Sequence, residues 1–303
     1  MRKVLLLALA LPLFATKYAG EIFYISPHVR AEGFGGVAVP LGSSPFGFFS
    51  NPAIVEGNNI LFNYSSLYSG LASFNFFGFS KENFLGHDTD LGVSVALITS
   101  SDIKQTALLD TARGVTEGNI YIKERLTFRS TLFSAAFAKN WRSTRIGLKA
   151  KVFNENLGVT SGTGFGIDAG LFWHKGPLSV GAVIRDLTGT PIVWRSHREY
   201  IYPSIQTGAT YLVKGHLLLG TQFDLLFEGR KVSSTYSVGP FSMDTHFGFE
   251  YIIGKASGVR VGINRGNMTF GAGFQFKKLT FNYGYTSHSS LGSTSKFSVA
   301  IRI

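Results

Sequence analysis

The chain has 303 residues, enough for two ordinary domains or one large barrel; its 36 Gly and 28 Phe with only 16% charged residues suit strands and disfavour a soluble helical enzyme. It has no Cys, which excludes a disulfide framework and a thiolate metal centre. The formal net charge of +11 comes from basic residues scattered over many segments rather than gathered on one helix or tail, which disfavours nucleic acid as a partner.

The first residues, MRKVLLLALALPLFATKYAG, carry two basic residues, an apolar run from Val4 to Leu11, a proline and then small residues. This is the layout of a secretory signal over residues 1–15, with cleavage after Ala15 or, at the latest, after Ala19. The run is too short to span a bilayer, which takes about 20 apolar residues. Downstream, Gly, Lys, Asp or Asn breaks every apolar stretch, so any crossing of a membrane must be made by strands.

Residues 16–58 form the next unit, and positions 24–58 are rich in Gly, Pro and Phe. They are too apolar for an exposed tail and too irregular for a strand. Phe34, Phe46, Phe48 and Phe49 in particular need burial.

From residue 59 to 303 the chain breaks into short segments of period two, separated by turn residues. They lie near 59–68, 70–80, 90–100, 127–140, 144–157, 162–174, 178–187, 201–213, 216–228, 245–254, 258–265, 268–277, 279–287 and 295–303. About fourteen segments, an even number, is what an up-and-down antiparallel barrel closes with. The stretches 101–126, 187–200 and 229–244 are too long for turns and are expected to be long loops of one rim. Lys123, Glu124, Arg125, Glu228, Arg230 and Lys231 read as solvated rim charges.

The two beats of each strand differ in chemistry. One carries Ile146, Leu148, Ala150 and Val152, then Phe165, Ile167, Ala169, Leu171 and Trp173, then Val259, Val261 and Ile263, with no charge among them. A soluble sandwich tolerates that exclusion, whereas a lipid-facing strand demands it, since Lys or Arg at the bilayer midplane costs about 2–4 kcal/mol. The other beat is small, Gly above all, with a few charges that must pair in a confined interior: Lys149, Lys151, Asp168, Asp224, Glu250, Arg260 and Arg302. The expected fold class is therefore all-β, a transmembrane barrel in the outer membrane, with a soluble β fold as the alternative.

Sites for chemistry are weak. The run Gly162 to Gly166 lacks the Lys-Ser/Thr ending of a phosphate loop. His87, Asp88 and Asp90 read as turn formers rather than metal ligands. His246, Asp224 and Glu250 fall on inward beats of nearby strands, but no nucleophile motif accompanies them. We expect no enzyme, metal or cofactor.

The segment RAEGFGGVAVPLGSSPFGFFSNPAIVEGNNILFNYSSLYSGL resembles the N-terminal signature of the PorV/PorQ-like branch of FadL-like outer-membrane barrels, through Arg30 and Ala31, Gly35 and Gly36, and Asn51, Pro52 and Ala53. Similar blocks follow in order: GFGIDAGLFW from Gly164, VGAVIRDLTG from Val180, VRVGINRGNMTFGAGFQFKKLTFNYGY from Val259 and HSSLGSTSKFSVAIRI from His288. The chain departs from that pattern at Gly42, Ser43 and Ser44, where acidic residues are usual, and at Ser50 and Ile54. The resemblance implies that residues 16–58 fold into the barrel as a hatch or plug; there the four Phe would either serve only as plug packing or line an apolar path around it. It implies a plugged transporter for hydrophobic small molecules. The alternative is a type IX-like secretion component that docks exported cargo or secretion-system proteins. Outer-membrane lipid is the expected surrounding partner in either case.

Overall fold

The computed structural model describes residues 21–84, 88–116, 118–228, 234–254, 256–288 and 291–303. The expected signal sequence, His87, Arg230 and Lys231 lie outside the described residues. Seventeen strands form one sheet: β1 (Asn59–Leu67), β2 (Ala72–Lys81), β3 (Thr89–Leu108), β4 (Ile120–Trp141), β5 (Thr144–Asn156), β6 (Ser161–Lys175), β7 (Leu178–Arg185), β8 (Thr190–Trp194), β9 (Arg198–Ile201), β10 (Ser204–Val213), β11 (Leu217–Leu226), β12 (Tyr236–Val238), β13 (Phe241–Ile253), β14 (Ser257–Asn264), β15 (Asn267–Phe276), β16 (Leu279–His288) and β17 (Gly292–Arg302).

Fourteen of these are staves of a closed antiparallel barrel, because β7 pairs with β10, β11 with β13, and β17 returns to β1 with Phe62 opposite Val299. Closure leaves no free edge for another chain to extend. The three remaining strands are short: β8 pairs with β6 and β9, and β12 pairs with β13.

Period two explains which face is which. In β5, Lys149, Lys151 and Phe153 point inward and are buried, while Leu148 and Val152 point outward and are exposed. In β15, Phe270, Phe274 and Phe276 are exposed on the outer face, and the inner beat is Gly271 and Gly273.

Both ends of the barrel chain meet at one rim, where Asn59 lies opposite Arg302. The opposite rim carries the longer connections. Two of the stretches expected as loops are partly strand, since 187–200 contains β8 and the start of β9, and 229–244 contains β12 and the start of β13. The stretch 101–126 is mostly a hairpin: β3 and β4 stay paired out to Leu108 and Ile120, through a bulge between Ser100 and Ile103. Its residues are exposed on both faces, so the burial alternation that marks a stave fades there.

Residues 21–58 pack against the inner face of the staves and run as a single-turn 3-10 helix (Glu21–Tyr24), α1 (Val29–Gly33) and α2 (Gly47–Ser50), joined by irregular chain. The buried core consists largely of this segment against the inner face of the staves.

Candidate functional site

Backbone approach explains why the inner wall is glycine. Phe34 lies where Cβ atoms on Gly220 and Gly248 would collide with it, and Pro52 occupies the corresponding space over Gly147 and Gly170. On the segment itself, Gly35 has φ 71° and its own Cβ would fall 1.9 Å from the Phe247 carbonyl oxygen, so no other residue fits. Its amide donates to Thr269 Oγ1 at 3.1 Å.

Around α1 the contacts are ionic. The Arg30 guanidinium grips Glu250, with Nη2 2.8 Å from Oε2, and also donates to the Ser43 carbonyl. Glu250 accepts from Arg260 Nε at 2.8 Å, and Arg260 continues to Asn282. Glu32 accepts from Lys296 Nζ at 2.7 Å and from the Thr286 hydroxyl. Burial would raise the Glu32 carboxyl, but Lys296 and Thr286 outweigh it and hold it below the usual carboxylate range. Glu56 binds the Ser43 amide, and burial raises its carboxyl.

His28, at the start of α1, is fully buried and neither ring nitrogen has a hydrogen-bond partner. Burial, with Arg30 and Arg260 adding like charge, pushes its pKa down to about 3.

Around α2 the contacts are aromatic. Phe46, Phe48 and Phe49 join Ile22, Phe23, Phe74, Phe76, Phe153 and Trp194 in one cluster, while Phe34 belongs to a separate, smaller one. Asn51 is saturated: its amide donates to the Val39 and Leu171 carbonyls, both at 3.0 Å, and its carbonyl accepts from Ala53 N. Lys149 donates to the Phe49 carbonyl at 2.6 Å and sits 5.1 Å from that ring's centroid; Lys151 sits 4.3 Å from the Phe23 ring.

The lumen charges are brought together mostly by neighbouring staves. Lys149 and Asp168 are cross-strand partners 2.9 Å apart, and Lys151 bridges Asp168 and Asp186 at 2.8 Å each. Glu250 and Arg260 are cross-strand partners too, with Arg30 added from the inner segment. Among the described residues Asp224 forms no ion pair with a lysine or arginine; it accepts from Gln206 and Gln222, and His246 Nε2 lies 3.3 Å away. Arg302 continues the inward beat of β17 and lines the cavity at the rim of the chain ends, where its side chain is exposed. Asp90, read from sequence as a turn former, is instead buried and paired with Arg145.

Two cavities flank the segment. One of about 470 Å³ opens at the rim of long connections and is lined by Arg185, Asp224, His246, Arg265, Tyr68 and Lys296 among others. The other, about 880 Å³, lies at the rim of the chain ends beside Arg30, Glu56, Arg145, Glu250 and Arg302. None of Phe34, Phe46, Phe48 or Phe49 lines either cavity. Sequence reasoning missed His28, Glu32, Lys296 and the Arg185–Gln206 pair, though Arg185 and Lys296 both stand out as cations within otherwise apolar or small strands.

No protein-family model matches the sequence, and no curated protein matches it. Solved structures do. The toluene transporter TodX of P. putida is similar with a TM-score of 0.61 at 11% identity, over 92% of this chain and 98% of that one. The Ralstonia pickettii toluene transporter TbuX gives 0.58 at 12%, covering 91% and 97%. A Pseudomonas aeruginosa FadL homologue gives 0.53 at 10%, covering 92% and 98%. At these identities the likeness is one of fold: a FadL-like barrel.

Proposed function

We propose that the chain is an outer-membrane transporter for small molecules with apolar character, in which residues 21–58 act as a plug that must shift for cargo to pass. The observation that carries this reading is a lumen filled by a segment gripped partly by breakable ion pairs, inside a barrel whose outer face is apolar. Lipid covers that face, and the rim of long connections faces the exterior. The fold likeness to proteins described as toluene transporters and a monoaromatic hydrocarbon channel supports the cargo class. With the four Phe sealed in packing, an apolar path exists only after the plug moves. Uptake of labelled toluene into vesicles holding either the intact barrel or a variant lacking residues 24–50 tests this. The deletion should change the rate severalfold, and equal rates sink the reading.

A second reading, cargo docking in a PorV-like secretion role, is favoured by one feature. The projecting β3–β4 hairpin exposes Leu109, Val115, Ile120 and Ile122 at its tip. Crosslinking from that hairpin to exported proteins, with no solute uptake, would support it over transport.

A further inference from the structure

The cavity at the rim of long connections is two-sided. Towards β1 its wall is apolar and aromatic, with Ile25, Leu67, Leu291 and the rings of Tyr24 and Tyr68. Across the ring of staves the wall is a hydrogen-bonded row over four neighbouring strands. Arg185 Nε of β7 donates to Gln206 Oε1 of β10 at 2.7 Å, and Gln206 Nε2 donates to Asp224 Oδ2 of β11 at 2.7 Å. Gln222 Nε2 takes the other Asp224 oxygen at 2.8 Å, and His246 of β13 closes the row.

The cavity lining carries Arg185, Arg265 and Lys296 against Glu32 and Asp224, an excess of positive charge that suits an anion. Asp224 accepts from two amides, with His246 Nε2 3.3 Å away. Lys149 and Lys151 hold Asp168 and Asp186, so Arg185 is left with neutral acceptors, Gln206 and the Phe23 carbonyl. Among the described residues no carboxylate forms an ion pair with it. Next in the row, His246 is buried and neither of its ring nitrogens has a hydrogen-bond partner, nor has Asn264 Oδ1 beside it. Arg265 adds a second guanidinium to the lining; its Nε is 3.0 Å from Asp244 yet not aligned to donate to it. Unsatisfied buried polar groups concentrated beside one cavity point to a ligand.

We propose that this cavity binds a compact organic carboxylate: the anionic end on Arg185 and Arg265, the aromatic or short aliphatic body against Tyr24, Leu67 and Tyr68. A guanidinium suits a carboxylate because two parallel N–H donors match its two oxygens. About 470 Å³ admits a single-ring ligand. The excess of 29 basic over 18 acidic residues draws such an ion towards the mouth. The inference rests on the transport reading only in treating the site as a stage of passage.

Calorimetric titration of the purified folded barrel with benzoate, benzyl alcohol and acetate tests it. Benzoate should bind about tenfold or more tighter than either of the others, as expected for adding a charge-assisted bond or an apolar contact. Arg185→Gln should weaken benzoate about tenfold and leave benzyl alcohol unchanged, while Lys214→Gln, on an exposed turn at the opposite rim, should change neither. If Arg185→Gln does not fold, Arg265→Gln carries the same expectation. Benzoate binding no tighter than benzyl alcohol or acetate, or indifferent to both arginine changes, overturns the site. Toluene uptake is the separate readout: uptake without benzoate binding sinks this inference alone, and benzoate binding without any uptake sinks transport and leaves the site.

Discussion

The two halves of the inner segment are held by different physics. The α1 half, from His28 to Gly36, is pinned by Arg30 to Glu250, by Glu32 to Lys296 and by Gly35 to Thr269, and it carries an unsatisfied buried imidazole. The α2 half, from Phe46 to Ala53, is seated by buried rings and a saturated Asn51. Apolar packing fades gradually with displacement and is indifferent to pH, whereas buried ion pairs fail sharply when one partner is lost. On the proposed plug reading, the α1 half is the part expected to release first, with the α2 half as its anchor.

Because the chain has no Cys, single substitutions Ala31→Cys and Ala53→Cys, at buried positions in the two halves, give separate reporters of exposure to a small maleimide. The largest effect is expected from Phe48→Ala. It removes a fully buried ring from the anchor and should cost about 3–5 kcal/mol of barrel stability in denaturant titration, with the α2-half reporter thiol becoming labelled. A cost below about 1 kcal/mol would show that the α2 half is not an anchor. Glu250→Gln comes next. It strands Arg30 and Arg260 without a counter-charge and should weaken seating of the α1 half by about 3 kcal/mol, read as roughly a hundredfold faster labelling of the α1-half reporter thiol. Equal acceleration at the α2-half reporter would dissolve the distinction between the halves.

Acid should produce the smallest and most graded effect over the single pH unit from 6.5 to 5.5. His28 has a pKa of about 3 when seated and an ordinary one near 6.5 when released, so the released form takes up the proton first. Seating is then at full strength above pH 6.5 and loses about 1.4 kcal/mol for each pH unit below it, down towards pH 3. Glu56, whose carboxyl is raised, works in the opposite direction, and Glu32 adds to the loss once its ordinary range is reached. Labelling of the α1-half reporter should rise as pH falls from 6.5 to 5.5 once corrected for thiolate ionisation, and His28→Leu should flatten that slope. A slope unchanged by His28→Leu would assign the acid response elsewhere.

Much of the barrel was legible because alternation is a one-dimensional signal. Phe270, Phe274 and Phe276 against Gly271 and Gly273 state the two faces of β15 without reference to any partner. Alternation fails where both faces meet water, which is why the β3–β4 extension past Ser100 reads as loop. The site was legible only as a set of residues. Arg30 and Glu250 are each conspicuous, but their meeting across 220 positions depends on closure and register, which no local pattern encodes. The orphaned ring of His28 likewise follows from what surrounds it, and nothing near it in sequence shows that neither nitrogen finds a partner.

The seam between β1 and β17 has a consequence for assembly. The first and last staves of the chain are the pair that completes the ring, and the segment to be enclosed lies immediately before the first of them. Enclosure before the seam zips spares the segment from threading through an end of the finished ring. Such non-local pairing forms slowly. A slow final seam is here an advantage, because it leaves time for Gly35 to dock against Phe247 before the ring shuts.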